Sequence, residues 1–208
     1  MSLIPATKLI SDKFDMMPKD RSLLVGISGI DSSGKGYVTA KLSERLRAQG
    51  LNIAIINVDG WLNLPNIRFG HNNLAKHFYK NAIRFDEMFL KLVMPLRDNR
   101  SIKLIADFAE ETANEFRKHV YCFENIDVIL LEGIFLFKKK YQNLFDLKIW
   151  IECSFRTALK RAIDRSQEGL PEMGTIGAYE TIYFPAQRIH FERDRPKETV
   201  NLILPNDL

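Results

Sequence analysis

The chain of 208 residues has only two cysteines, Cys122 and Cys153. Two thiols cannot build a disulfide framework, and their scarcity points to a reducing compartment. No apolar run approaches the roughly 18 residues that a bilayer-spanning helix needs. The opening stretch, Met1–Asp20, lacks a cationic segment followed by an apolar one, so no secretory signal is expected. These absences predict a cytoplasmic protein with no membrane partner. The four histidines show no metal-ligand spacing with the cysteines, which argues against a zinc site. Excess charge of one sign is also scarce: 30 basic against 26 acidic residues leave +4, spread along the chain. A long nucleic-acid footprint wants clustered Lys and Arg, so no nucleic-acid partner is expected; a phosphate pocket fits better. Eleven glycines and eight prolines are near ordinary usage, which excludes collagen-like and low-complexity chains. What remains is a globular composition, 46% hydrophobic and 27% charged. Its length predicts one domain over residues 1–208, with room for a small lid.

Strand-like and helix-like stretches alternate. Ser22–Ser28, Asn52–Val58, Asp127–Leu131 and Leu147–Ile151 are short apolar runs that read as buried strands, with Val200–Leu204 as a last short one. Gly34–Gln49 carries Val38, Leu42 and Leu46 at four-residue spacing and stops at Gly50, an amphipathic helix. Leu74–Asn81, Phe85–Leu96 and Ser154–Ser166 also read as helices, the last with Ser154 as its cap. Thr175–Phe191 reads as a helix broken or kinked at Pro185. Asp59–Asn73 is a loop punctuated by Gly60, Pro65, Asn66 and Gly70. Ser101–Asp107 and Lys118–Phe123 suggest a hairpin beside the sheet. The expected class is α/β, a mostly parallel sheet with helices on both faces and a lid around residues 160–178. Ligands of such sheets sit beyond the carboxyl ends of the strands.

Gly29-Ile30-Asp31-Ser32-Ser33-Gly34-Lys35 fits the G-x-x-x-x-G-K phosphate loop, followed by Gly36 and Tyr37. It leaves an apolar strand and opens a periodic helix, which is the context the motif requires. Backbone N–H groups of such a loop cradle phosphate, and Lys35 adds a point charge for the β- and γ-phosphates. The expected fold is therefore of the P-loop NTPase type, with a nucleoside triphosphate across residues 29–37. Gly36 stands where a Ser or Thr hydroxyl usually meets Mg²⁺. Either Mg²⁺ is held through water, or the site binds nucleotide without catalysis.

Asp59 and Glu132 end two of the strands on the side of the loop. Glu132 suits the metal role and Asp59 the base for an attacking hydroxyl, with Lys35 at the phosphates. The bland alternatives are a turn aspartate before Gly60 and a surface acid before Gly133. Asp127 opens its strand, roughly 16 Å from Glu132 at strand rise, and is a poor ligand. Arg161 and Arg165 share a helix face and either clamp phosphate or pair with Asp164 and Glu168.

Together the segments Gly26–Gly36, Asn57–Asn63, Arg84–Met88, Asp127–Phe135 and Ala158–Ser166 resemble the uridine kinase family, within the group that includes phosphoribulokinase and bacterial pantothenate kinase. The resemblance implies ATP-dependent transfer to a primary hydroxyl, most simply of a pyrimidine nucleoside. It assigns Asp59 as base, Glu132 at the metal, Asp86 to a sugar hydroxyl, and Arg161 and Arg165 to a lid over ATP. The run Asp59-Gly60-Trp61-Leu62 departs from the uridine kinase pattern and is similar to pantothenate kinase instead. A pantothenate- or sugar-type kinase and a non-catalytic nucleotide-binding regulator remain the alternatives. The acceptor pocket is sought among Asp59, Trp61, Asp86, Phe108, Arg117, His119, Tyr183 and Gln187, with core packing as the competing role for Trp61 and Tyr183. A homo-oligomer is left open.

Overall fold

The computed structural model describes residues 2–70, 73–165 and 170–207. Its helices are α1 (Ile4–Asp15), α2 (Lys35–Arg47), α3 (Pro65–Arg68), α4 (Leu74–Asn81), α5 (Phe85–Met88), α6 (Met94–Asn99), α7 (Phe155–Arg165), α8 (Glu172–Ala178) and α9 (Phe184–Asp194). Its strands are β1 (Leu23–Gly29), β2 (Ile53–Asn57), β3 (Ile102–Phe108), β4 (Arg117–Phe123), β5 (Val128–Gly133), β6 (Leu147–Glu152) and β7 (Leu202–Pro205). Five of these form a parallel sheet in the order β2-β5-β1-β6-β7. The remaining two, β3 and β4, make the expected antiparallel hairpin, paired from Ile102↔Phe123 to Phe108↔Arg117.

Side chains of a strand alternate between faces, so a sheet covered on both sides needs apolar residues at every position. Leu23, Val25 and Ile27 of β1 pack with Val38, Leu42 and Leu46 of α2 on one face. Leu24 of β1, with Ile129 and Leu131 of β5, packs on the other face against α4–α6 and α9. Leu3, Ala6 and Ile10 join the α2 face, so α1 is an amphipathic helix of the core. The sequence expectations place no element there.

Two helices continue through a proline. A π-turn, Phe89–Val93, joins α5 to α6 and precedes Pro95; another, Tyr179–Tyr183, joins α8 to α9 and precedes Pro185. Proline has no N–H and crowds the carbonyl four residues back, which here lies inside the π-turn. The wider turn absorbs the clash, so the helix expected to be broken or kinked at Pro185 continues there through a π-turn. The cap expected at Ser154 is present: its Oγ accepts from the Thr157 amide at 3.2 Å. Asp207 accepts from both the Ser154 amide and hydroxyl, which draws its carboxyl down to about 2. Ser166, Glu168 and His71, and the part of the expected lid at 166–169, lie outside the described residues. Among the described residues no helix is long and apolar enough to cross a membrane.

Candidate functional site

Residues 29–35 wrap between β1 and α2 as the motif requires. Gly34 caps α2 with φ 89°, a left-handed conformation that favours glycine, and an added Cβ would meet Asn206 Nδ2 at 2.4 Å. At Gly29 an added Cβ would lie 2.7 Å from both the Ile151 carbonyl and Ser33 Oγ. The Ile30 side chain is buried, and Lys35 Nζ donates to the Ile30 carbonyl at 2.8 Å. Tyr37 sits on the exposed rim.

Neighbouring elements brace the loop. Ser32 Oγ lies 2.8 Å from the Tyr179 hydroxyl and also accepts from Arg165 Nη2. The Ser33 carbonyl accepts from Asn206 Nδ2 at 2.7 Å and from Arg161 Nη1 at 3.4 Å. Arg161 and Arg165 of α7 therefore reach the loop. The Asp31 carboxylate accepts from Gln187 Nε2 at 2.9 Å. Gln187 is fully buried in α9, so it braces the loop and does not line the acceptor cleft, contrary to expectation.

Register brings the two acids together. Asn57 of β2 and Ile27 of β1 both lie opposite Glu132 of β5. Asn57 Oδ1 accepts from the Asp59 amide at 2.7 Å, while its Nδ2 donates to Glu132 Oε1 at 2.6 Å. One asparagine thus forms the turn that carries Asp59 and orients Glu132. Close packing supports the arrangement: an added Cβ on Gly133 would come within 2.2 Å of Val58. Asp59 keeps surface open to the cleft, yet protein surrounds it on its other sides. That crowding raises its pKa; Lys35 opposes the rise and Asp31 adds to it. Glu132 is 7% exposed, and burial raises its pKa too, with Lys35 opposing and Asp59 adding. A Cβ on Gly36 would sit 3.6 Å from Glu132 Oε1, so the position lacking a hydroxyl directly faces this carboxylate.

The loop and both acids open into one cleft of about 960 Å³. Its far wall includes Phe108, His119, Tyr121, Tyr183 and Arg68. Phe108 and Tyr121 close over Gly60, where an added Cβ would lie 3.0 Å from each. Arg68, in the segment expected to be a loop, is the last residue of α3 and is 1% exposed. Its Nη2 donates to the Glu111 carbonyl, its Nε has no partner, and burial lowers its pKa.

Three other expected acceptor residues lie elsewhere. Trp61 is fully buried and stacks on Tyr121 at 5.8 Å, which is a packing role. Asp86 sits in the first turn of α5 and does not line the cleft. It is 70% exposed and accepts from Lys140 and, at 2.8 Å, from Tyr141, in a separate groove. The Arg117 guanidinium stacks on Phe108 at 4.2 Å and lines a smaller neighbouring groove. The sequence reading did not single out Asn57, Arg68, Tyr121, Tyr179 or Asn206.

A phosphate loop on the central strand of a parallel sheet, facing acids at the ends of adjacent strands, defines a P-loop kinase. The chain belongs to the phosphoribulokinase/uridine kinase family, whose model matches residues 24–169. Among solved structures it is similar to a candidate fructose transport system kinase from Silicibacter sp. TM1040, with TM-score 0.80 and 19% identity over 99% of this chain and 100% of that one. It is also similar to a candidate uridine kinase from Bacillus stearothermophilus, with TM-score 0.73 and 18% identity over 98% and 100%. D-glycerate 3-kinase from Cryptococcus neoformans aligns with TM-score 0.63 and 10% identity over 93% and 88%. No curated protein matches the sequence. The fold and family make the protein a small-molecule phosphotransferase that uses nucleotide through its P-loop.

Proposed function

We propose that the protein transfers the γ-phosphoryl group of ATP to a hydroxyl of a small-molecule acceptor. The observation that carries this reading is the shared cleft of Lys35, Asp59 and Glu132 at one rim of the sheet. ATP binds with its phosphates against the amides of residues 30–35. Lys35 leaves the Ile30 carbonyl to meet the β- and γ-phosphates. Arg161 and Arg165, already at the loop, add donors as charge shifts toward the leaving group. The acceptor oxygen forms a bond to the γ-phosphorus while the bond to the β–γ bridging oxygen breaks. The hydroxyl proton passes to the Asp59 carboxylate, and ADP departs. No covalent intermediate forms on the protein, so positioning and electrostatics supply the rate.

The donor set fits Mg²⁺, a hard cation that takes oxygen ligands. Glu132 would hold it, with Asn57 fixing the carboxylate, and water would stand where Gly36 lacks a hydroxyl. Among the described residues no cluster of three His, Cys, Asp or Glu side chains could hold an ion unaided. Phosphate oxygens and water would therefore complete its shell. Bound there, Mg²⁺ supplies charge neutralisation at the phosphates. The described parts of the expected lid, residues 160–165 and 170–178, act over ATP within one domain spanning 1–208. The free thiols Cys122 and Cys153 suit a reducing cytoplasm.

Two acceptor classes fit the cleft. The aromatic wall of Phe108, His119 and Tyr121 suits the ring of a pyrimidine nucleoside. The buried guanidinium of Arg68 suits a pantothenate- or sugar-type alcohol that carries an acid. Coupled ADP release across nucleosides, pantothenate, sugars and sugar phosphates tests the kinase reading. A non-catalytic regulator would bind ATP and release no acceptor-dependent ADP.

A further inference from the structure

We infer that Arg68 recognises an oxyanion, a carboxylate or phosphate, on the acceptor alcohol. The inference rests on the kinase reading of the cleft and narrows its substrate class. Arg68 is among the largest fully buried side chains of the protein, at 1% exposure. Three half-buried arginines meet carboxylates: Arg21 with Asp146 at 2.8 Å, Arg84 with Glu87 at 2.6 Å, and Arg100 with Asp127 at 2.5 Å. Among the described residues Arg68 has no such ion pair. Its hydrogen bond goes to a neutral backbone carbonyl, of Glu111, and its Nε is unpartnered although buried. A guanidinium has five N–H donors in a planar fork and stays charged in proteins. Glu111 and Asp59 act on Arg68 only from beyond ion-pair distance, and a ligand oxyanion in direct contact relieves the cost of burying it.

Its position suits the acceptor and not ATP. The Asp59 carboxylate feels two cations, Lys35 and Arg68. Lys35 belongs to the phosphate loop, whereas Arg68 closes α3 on the acceptor side. The backbone there is fixed: the Arg68 amide donates to Leu64 at 3.0 Å, and the Phe69 ring stacks on Phe78 at 5.7 Å. A hydroxyl held at Asp59 would thus have the γ-phosphate on one side and an acceptor oxyanion on the other.

The test uses full-length protein and matched probes, D-glycerate against glycerol and ribulose 5-phosphate against ribulose. These separate a carboxylate from a phosphate and each from its neutral twin. Binding is read from the Arg68 ¹⁵Nε–H signal, assigned by its loss in Arg68→Lys, with a non-hydrolysable ATP analogue present. Turnover is read as ADP release. The expected result is that an anionic probe shifts the signal and has a KM at least tenfold below its neutral twin. Arg68→Gln then raises that KM about 10- to 100-fold with the KM for ATP unchanged. Arg68→Lys keeps the charge, guards against a folding defect, and gives a smaller loss because the fork is gone. The inference is overturned if neutral twins serve equally well, if no anionic probe moves the Arg68 signal, or if Arg68→Gln leaves the preference intact. Arg68-dependent binding without ADP release would retain the inference and remove the kinase reading. Turnover of a neutral alcohol indifferent to Arg68 would do the reverse.

Discussion

Replacing Asp59 with asparagine should lower activity and raise stability together. Asparagine matches the shape of aspartate, and the Asp59 contact that forms the turn uses its backbone amide, donated to Asn57. The substitution therefore removes the base and leaves the turn. Loss of a positioned general base costs about 10²–10⁴ in rate, or roughly 3–5 kcal/mol of barrier. ATP affinity should hold, since Asp59 lies outside the loop. The stability effect follows from partial desolvation by the surrounding protein, which raises the Asp59 pKa above its unfolded value, and it is small because the residue keeps exposed surface in the cleft. A group with a raised folded pKa binds its proton more tightly in the native state, so stability falls as pH climbs through the two values. The penalty is fully present above the folded pKa and absent below the unfolded one. Asp59→Asn should therefore melt higher than wild type at neutral and alkaline pH. The gap should close as pH falls below the ordinary carboxylate range. Thermal melts from pH 3 to 8, with ADP release and ATP titration at pH 7.5, measure all three quantities. Unchanged turnover would remove Asp59 as the base, and a lower melting temperature at neutral pH would show that its charge is not disfavoured in the native state.

Gln187→Ala should weaken ATP binding several-fold and leave the acceptor KM unmoved, because Gln187 braces Asp31; separate saturation curves for the two substrates check this. Gly133→Ala forces a Cβ to within 2.2 Å of Val58 and displaces the turn that carries Asp59. It should cost about 1–3 kcal/mol by denaturant melt and depress kcat more than ATP affinity. Ser154→Ala removes the α7 cap and should cost about 1 kcal/mol, read by the same melt.

The geometry of the phosphate loop was legible because its signals are local. The loop motif, the strand before it and the helix after it are contiguous in sequence, and parallel pairing sets Asn57 opposite Glu132, two residues before Asp59. The acceptor half depends on tertiary placement. Asp86 has the expected neighbours in sequence, but α5 turns it toward Lys140 and Tyr141. Gln187 shares a helix with Tyr183, yet four residues along it reaches Asp31 under the phosphate loop. Arg68 was hidden in a segment full of loop-forming residues, where a single turn of helix starting at Pro65 buries it. Asn57 carried a readable signal, an asparagine capping the turn before Asp59. Helix α1 was readable too, since Leu3, Ala6, Ile10 and Phe14 follow helical spacing.

The most direct measurement of the central claim is a crystal structure of the protein with Mg²⁺ and a non-hydrolysable ATP analogue. The expected structure has the β- and γ-phosphates on the amides of residues 30–35, Lys35 released from the Ile30 carbonyl, and the γ-phosphate facing Asp59. Phosphates bound elsewhere, or a γ-phosphate turned away from Asp59 and Glu132, would contradict it.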